Sequence, residues 1–537
     1  MRIRPEALSY LGQPLYRESL WTDGEDAAAR TAIETFMQRQ TRIDDPTAFA
    51  QQANALRTAG AYRLAIAVLT VGLRKWPGDP QLLVERGHTY VNVRDAAAAL
   101  TDLKSATDLA PQSFDAWYHL GLAQWFERQY ADAAGSFDSA ATVTPSASSR
   151  LAAMTWQYTA LRRSQQDDQA TDVLARIDWD VDLEGKNLNY QLRARFYQGS
   201  LTEEDLLAAV APGTKSEGSL GFGIGVLHLV NGDEVTARRH LSAAAASEFW
   251  PAFGTAAAEM ELALMDRMDL PTPEAYGTLG EPLYAALSAF ARPPESVLTD
   301  LEDTKRSLAA NPLDTATVRR HGLLLASGLA RYREAEAFLS RHLAQKPSDA
   351  AVLCDRGHYH VNMRRFDAAI ADLREAMRLA PGMHDIHYHL GLAHWMLGDI
   401  DKAVEAFERA LDLCESESHQ VAYSDWLYLG LRRIGRHADA ENVLNPIHEG
   451  MHTTGNNHLY LRRILFYKGD ISEEELVASL PDSGLAFASL YGLGCWHLVE
   501  GDATRARKVF LDVVERGAAW GGFAHIAAES ELYRGLL

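Results

Sequence analysis

The sequence LLVERGHTYVNVRDAAAALTDLKSATDLAP, residues 82–111, is followed directly by QSFDAWYHLGLAQWFERQYADAAGSFDSAATVTP, residues 112–145, and the two stretches share one pattern. Gly87 recurs 34 residues later as Gly121, and a proline closes each stretch. Small residues at fixed positions allow paired helices to approach closely, and proline cannot continue a helix. The spacing therefore predicts a two-helix hairpin that is repeated along the chain.

The positions of glycine, alanine and proline in these stretches resemble those of the tetratricopeptide repeat family. The resemblance implies an all-α fold, an α-solenoid of helical hairpins in which each repeat packs on its neighbours. It also implies that a ligand binds the concave face, which the first helix of each hairpin lines. Family members that hold the C-terminal carboxylate of a chaperone peptide use Lys and Asn on this face. The matching positions here carry Glu85, His88 and His119, so recognition of such a tail is not expected.

The whole pattern occurs twice in the chain. Gly87 corresponds to Gly357, an offset of 270 residues, and the correspondence continues from the clear repeats into the looser hairpins that follow them. We predict two solenoid copies of tetratricopeptide and degenerate hairpins, residues 1–275 and residues 276–537. Because the exposed end of a solenoid needs a cover, residues 1–45 are predicted to cap the first copy.

Composition and charge restrict the classes of partner. The 537 residues include 72 acidic and 52 basic side chains, a formal charge of −20, which repels a nucleic-acid backbone. No apolar run approaches the roughly 18 residues that a membrane span requires, and the N-terminus lacks a signal-type apolar segment. The three cysteines form no CxxC motif. These features predict a cytoplasmic protein without a nucleic-acid or membrane partner.

The predicted concave face carries nearly the same side chains in both copies, with Glu in one copy replaced by Asp in the other. We call this series the ladder, and we expect it to face solvent because helix packing does not require these residue types there. The tryptophans, however, could equally fill a narrow superhelix. The ladder consists of Glu85, His88, Asn92, Asp115, Tyr118, His119, Trp125, Trp156, Tyr190 and Arg193 in the first copy, and of Asp355, His358, Asn362, Asp385, Tyr388, His389, Trp395, Trp426, Tyr460 and Arg463 in the second.

The histidines and carboxylates of the ladder allow three interpretations. Glu85 and His88 are three residues apart and Asp115 and His119 four apart, so each pair shares one face of its helix. The resemblance to the family implies that the two histidines lie close together. The four groups could then catalyse acid/base chemistry, bind a divalent metal, or hydrogen-bond a ligand or a neighbouring residue. The sequence identifies no metal site and no cofactor, and the second copy carries a twin set.

Two functions are compatible with these features. The first is a binding or scaffold protein that holds a peptide or protein partner in the groove. The alternative is an enzyme, or a protein that binds a small molecule or metal, using the duplicated histidine–carboxylate sites between Trp and Tyr walls. Fold alone does not decide between them, and no nucleotide loop, GxSxG or HExxH motif is present.

Overall fold

The structure of the protein is a computed structural model, and it describes residues 5–10, 13–16, 45–179, 188–209, 215–287, 295–480, 486–516 and 520–536. The described residues group into two compact units that divide between Thr272 and Pro273. Helices make up most of this part of the chain, and its strands belong to two short hairpins. The predicted all-α solenoid is therefore confirmed. Most of the predicted N-terminal cap lies outside the described residues.

The first unit contains one strand hairpin and, within its described residues, thirteen α-helices. They are β1 (Ala7–Leu8), β2 (Pro14–Leu15), α1 (Pro46–Thr58), α2 (Tyr62–Lys75), α3 (Pro80–Asn92), α4 (Ala96–Leu109), α5 (Phe114–Phe126), α6 (Tyr130–Val143), α7 (Ala147–Arg163), α8 (Asp167–Ala175), α9 (Leu188–Gln198), α10 (Glu203–Ala208), α11 (Lys215–Val230), α12 (Glu234–Ala245) and α13 (Phe253–Met265).

The second unit follows the same order, with a 3-10 turn at Ala285–Leu287 and a π-helical turn at Leu324–Gly328. No helix in the described ranges is long and apolar enough to cross a membrane. The elements are β3 (Ala275–Tyr276), β4 (Pro282–Leu283), α14 (Glu295–Ala310), α15 (Thr315–Leu323), α16 (Tyr332–Gln345), α17 (Ala350–Asn362), α18 (Phe366–Leu379), α19 (His384–Leu397), α20 (Ile400–Leu413), α21 (Glu417–Arg433), α22 (His437–Leu444), α23 (His458–Tyr467), α24 (Glu473–Ala478), α25 (Ala486–Val499), α26 (Ala503–Arg516) and α27 (Phe523–Leu536).

Local sequence determines where the helices begin. The Asp79 carboxylate accepts a hydrogen bond from the Leu82 N–H at 2.9 Å, and Pro80 occupies the first position of α3. The Ser113 hydroxyl caps α5 in the same way, through the Ala116 N–H at 3.2 Å. Such caps satisfy backbone donors that the helix itself cannot, and proline is preorganised for the first turn.

The signature glycines lie where the two helices of a hairpin approach closely. A Cβ atom at Gly87 would lie 2.5 Å from the side chain of Leu103, and one at Gly121 would lie 2.7 Å from the ring of Phe137. Separations this short are not tolerated in packed cores. The glycines are therefore required by packing, as the repeat pattern predicted.

Each strand hairpin is fastened to its own unit by a glutamate. The Glu6 carboxylate accepts a hydrogen bond from the Arg63 N–H at 2.9 Å, and Glu274 accepts one from the Arg333 N–H at 3.0 Å. Both arginines lie in the first turn of a helix, where backbone N–H groups lack partners within the helix. The hairpins thus lie against the starts of α2 and α16.

Candidate functional site

The last helix of each unit lies against the face that was predicted to be a groove. At the start of α13, Phe253 contacts the rings of His88 on α3 and His119 on α5, with centroid separations of 5.6 and 6.0 Å. Phe523, at the start of α27, occupies the same place in the second unit. Each unit therefore closes on itself, and its own helix occupies this part of the concave face.

A buried arginine fixes α13 in this position. Arg94, directly after α3, donates from Nε and Nη2 to the Glu259 carboxylate on α13, at 3.1 and 2.8 Å. Its Nη2 also donates to the carbonyl oxygen of Trp250 at 2.7 Å, while the Asn92 amide donates to the carbonyl oxygen of Pro251 at 3.1 Å. Arg94 has φ of 67°, a left-handed conformation that is uncommon for residues other than glycine. We call these contacts the latch.

The second unit repeats the latch residue for residue. Arg364 donates to Glu529 at 3.0 and 2.7 Å and to the carbonyl oxygen of Trp520 at 2.8 Å. The Asn362 amide donates to the carbonyl oxygen of Gly521 at 2.5 Å. The ladder residues Asn92 and Asn362 therefore bind the chain's own backbone.

The strand hairpin and a second ion pair complete the closure of the first unit. The Trp250 indole N–H donates to the carbonyl oxygen of Tyr16, next to β2, at 3.0 Å. Arg163, at the end of α7, is 3.0 Å from the buried carboxylate of Glu261 on α13. The last helix is thus held from three directions, by α3, by α7 and by the hairpin.

Most aromatic and cationic members of the ladder are interior residues, so the expectation that they face solvent is wrong for them. Trp125 and Trp156 pack edge to face at 5.5 Å, and Phe222 of α11 stacks on Trp156 at 5.4 Å. Helices that return across the face cover these rings, which supports the packing interpretation of the tryptophans. The buried members are Asn92, Tyr118, His119, Trp125, Trp156, Arg193, Asn362, Trp395, Trp426 and Arg463. Glu85, His88, Asp115, Tyr190, Asp355, His358, Asp385, Tyr388, His389 and Tyr460 keep partial or full exposure.

His88 and His119 form a stacked pair, with ring centroids 4.0 Å apart, but neither bonds to a carboxylate of the described residues. Glu85 is bound to Arg57 at 2.6 Å, and His119 Nδ1 donates to the backbone carbonyl of Asp115 at 2.8 Å. Burial lowers the pKa of His119 to about 4 and holds the pKa of His88 well below its usual range. The two imidazoles are therefore uncharged at neutral pH, and the expected carboxylate–imidazole pairs are not formed.

The twin pair in the second unit has the same geometry. His358 and His389 stack with centroids 4.4 Å apart, and burial lowers the pKa of His389 to about 4. Arg319 binds the Asp355 carboxylate through two hydrogen bonds, at 2.7 and 2.9 Å. As in the first unit, the carboxylate one turn before the first histidine of the pair binds an arginine and not that histidine.

A polar cluster at the rim of the second unit escaped sequence reasoning. The Tyr423 hydroxyl donates to the Asp385 carboxylate at 3.2 Å and lies 2.7 Å from His384 Nδ1, while the ring of His419 is 4.6 Å from that of His384. Identity between the two copies does not reveal His384, His419 and Tyr423, because these residues differ from their counterparts in the first copy. The corresponding positions of the first copy hold Phe114, Ser149 and Ala153.

Within the described ranges, no ladder histidine belongs to a group of three metal-type ligands. Among the described residues, one group of three metal-type ligands lies close enough to hold an ion: Glu281, His525 and Glu529, all buried. Glu529 in that group is already bonded to Arg364, so a positive charge is present there without a metal. The metal interpretation of the ladder histidines thus gains no support.

Comparison with known proteins identifies the repeats. A family model described as tetratricopeptide repeat matches residues 84–148 and 354–418. These two segments, one in each unit, are tetratricopeptide repeats, as the resemblance indicated. No curated protein matches the chain significantly.

Several solved structures are similar to the chain at low identity. A crystal structure of MamA is 19% identical, covers 32% of this chain and 90% of its own, and has a TM-score of 0.24. YrrB, described as a TPR protein with an unusual peptide-binding site, is 17% identical, with coverages of 40% and 93% and a TM-score of 0.26. Yeast Tom70 is 14% identical, with coverages of 91% and 95% and a TM-score of 0.24.

Proposed function

We propose that the chain is a partner-binding protein whose first unit holds a peptide segment with a basic side chain at the rim of its concave face. The observation that carries the proposal is Asp115, whose carboxylate is exposed and has no hydrogen bond or ion pair among the described residues. Partial burial raises the pKa of Asp115, and the nearby positive charge of Arg57 offsets that rise only in part. A cation from a partner would remove that penalty on the charged form.

The surroundings of Asp115 favour a peptide as the occupant. Phe114 and Trp117 on the same helix are partly exposed rings, and on α3 Glu85 and His88 are also partly exposed, His88 being stacked on His119 one turn after Asp115. Aromatic rings beside carboxylates suit a lysine or arginine, whose stem is apolar and whose head is charged. The formal charge of −20 favours the approach of a basic segment.

The second unit offers a weaker version of this rim. Its equivalent carboxylate, Asp385, already accepts a hydrogen bond from Tyr423 and lies 3.1 Å from His384 Nδ1. Acid/base catalysis by the histidine pairs is the less supported alternative. The described residues include no carboxylate hydrogen-bonded to these histidines, and the pKa of about 4 makes His119 and His389 weak bases at neutral pH.

Selection of random peptides on the full chain tests this proposal, followed by affinity measurements on the enriched sequences. We expect enriched peptides to carry Lys or Arg. We expect Asp115→Asn to weaken them about tenfold, because a charge-assisted hydrogen bond at a half-exposed site is worth about 1.4 kcal/mol. Asp385→Asn and Asp172→Asn, an exposed carboxylate on α8, serve as controls and should leave the affinity unchanged. Enrichment of acidic peptides, or equal binding to Asp115→Asn, would contradict the proposal.

A further inference from the structure

Arg193 is a fully buried guanidinium without a counter-charge in the part of the chain that the structure describes. Its exposure is 0%, and it lies over the rings of Trp156 and Phe222 at 5.1 and 5.3 Å. Its Nε donates to the Tyr197 hydroxyl at 3.2 Å, but Nη1 and Nη2 have no acceptor in the described part of the chain. An uncompensated charge inside a protein is strongly destabilising, so an anion bound to this guanidinium would stabilise the folded unit.

The second unit contains the same arginine with that anion supplied. Arg463 is 1% exposed and donates from Nε to the Asp425 carboxylate at 2.9 Å, and its Nη2 donates to the other carboxylate oxygen. Asp425 is itself fully buried. The first copy has Thr155 at the position of Asp425, and the Thr155 hydroxyl donates to the carbonyl oxygen of Leu151 at 2.7 Å.

A second donor in the same cluster has also lost its acceptor. The Trp395 indole N–H donates to the Tyr491 hydroxyl at 2.6 Å in the second unit. In the first unit Phe222 takes the place of Tyr491, and the Trp125 indole N–H has no acceptor among the described residues. Trp125 and Phe222 are 6.0 Å apart, and Phe222 also contacts Arg193.

Two differences between the copies therefore remove two acceptors from one buried cluster and leave its donors in place. Each unmet donor costs free energy unless something binds it. A carboxylate can accept from both Nη1 and Nη2 of a guanidinium in a fork. In the second unit Asp425 makes the related fork across Nε and Nη2 of Arg463, whereas Nε of Arg193 is already bonded to Tyr197.

We infer that the interior of the first unit binds a small carboxylate, which accepts hydrogen bonds from Nη1 and Nη2 of Arg193. The second unit has replaced this ligand with its own Asp425. This site is separate from the peptide rim at Asp115 and does not depend on it.

Thermal unfolding of the full chain, measured with increasing acetate or benzoate and with chloride at matched ionic strength, tests the inference. We expect the wild-type midpoint to rise with the logarithm of carboxylate concentration, as for any ligand of the folded state. Thr155→Asp supplies the carboxylate internally, so it should unfold at a higher temperature in chloride and lose the response. Asp425→Thr removes the carboxylate that binds Arg463, so this variant should show an additional carboxylate-dependent rise in the unfolding midpoint of the second unit.

Two further variants keep the test decisive if Thr155→Asp does not fold. Arg193→Met keeps the volume of the side chain without its charge and should abolish the response, whereas Arg463→Met leaves the first-unit response intact. A wild-type chain that responds equally to chloride and to both carboxylates overturns the inference. A response to inorganic phosphate alone overturns the assignment of the ligand as a carboxylate.

Discussion

Removal of the charge from Glu259 tests whether the latch holds the last helix in the concave face. Glu259 and Arg94 are 2% and 4% exposed, and the fork between them is the only carboxylate contact of Arg94 among the described residues. Glu259→Gln keeps the shape of the side chain and leaves the guanidinium buried without its anion. Breaking a buried pair in this way costs about 3–5 kcal/mol.

Hydrogen exchange followed by mass spectrometry reads this cost locally. We expect the amides of α13 to lose protection by about 100-fold to a few thousand-fold, which corresponds to 3–5 kcal/mol in the free energy of opening. Protection in α27 should not change, and Glu529→Gln should reverse the pattern. These paired variants separate the two units within one chain.

An exposed ion pair of the same chemistry provides the control. Glu375 accepts two hydrogen bonds from Arg378, at 2.9 and 2.6 Å, on the solvent side of α18. Glu375→Gln should change protection little, because solvent screens exposed pairs. Less than about a fivefold loss in α13 for Glu259→Gln, which is below 1 kcal/mol, would refute the latch as the device that closes the unit.

Three other predictions follow from the described contacts. The pKa of His119 is about 4 in the folded chain and 6.5 ordinarily, so stability is lost as the pH falls from 6.5 toward 4. The loss due to His119 is about 1.4 kcal/mol at pH 5.5. Urea unfolding should show that His119→Gln removes this loss, and an unchanged dependence of stability on pH would contradict the prediction. Gly121→Ala should destabilise by overpacking, which costs about 1–3 kcal/mol, whereas Gly135→Ala, with nothing near its Cβ, should stabilise by up to about 1 kcal/mol; the same sign for both in urea unfolding would be inconsistent with the packing argument. A fragment of residues 271–537 should be soluble and helical by circular dichroism, and one of residues 285–537 should melt lower because it lacks the hairpin; equal midpoints would show that the hairpin does not stabilise the unit.

The two units differ in how their buried and half-buried groups find partners. In the first unit, the exposed Asp115 carboxylate makes no hydrogen bond or ion pair with the described residues, and Nη1 and Nη2 of Arg193 have no acceptor among them. In the second unit, the Tyr423 hydroxyl donates to Asp385 and the Asp425 carboxylate binds Arg463, so both corresponding groups have partners within the chain. This asymmetry is the reason that both proposed sites lie in the first unit.

The repeats were predictable because their cause is local. Gly121 must be small since a helix only 16 residues away in sequence packs on it through Phe137, and the pattern recurs at a fixed spacing. The closure of each unit was not predictable by this logic, because Arg94 and Glu259 are 165 residues apart. A signal did exist: both residues recur in the second copy as Arg364 and Glu529.

The burial of the ladder follows from the same long-range contact. Identical residues in the two copies were interpreted as a ligand surface because a tetratricopeptide helix presents that face to solvent. Once α13 and α11 return across the face, about half of the ladder becomes core, and identity between the copies at those buried positions reflects packing. The proposed carboxylate site rests instead on a difference between the copies, Thr155 against Asp425.

Carbethoxylation of histidines in the native protein at neutral pH, followed by peptide mass spectrometry, tests the closed concave face most directly. The reagent modifies unprotonated imidazole, and the lowered pKa of His119 keeps it unprotonated, so an open groove would make it one of the fastest sites. We predict slow modification of His119, rapid modification of the exposed His437, His448 and His452, and faster modification of His119 after Glu259→Gln. Modification of His119 in the wild-type chain as fast as that of the exposed histidines would contradict the account.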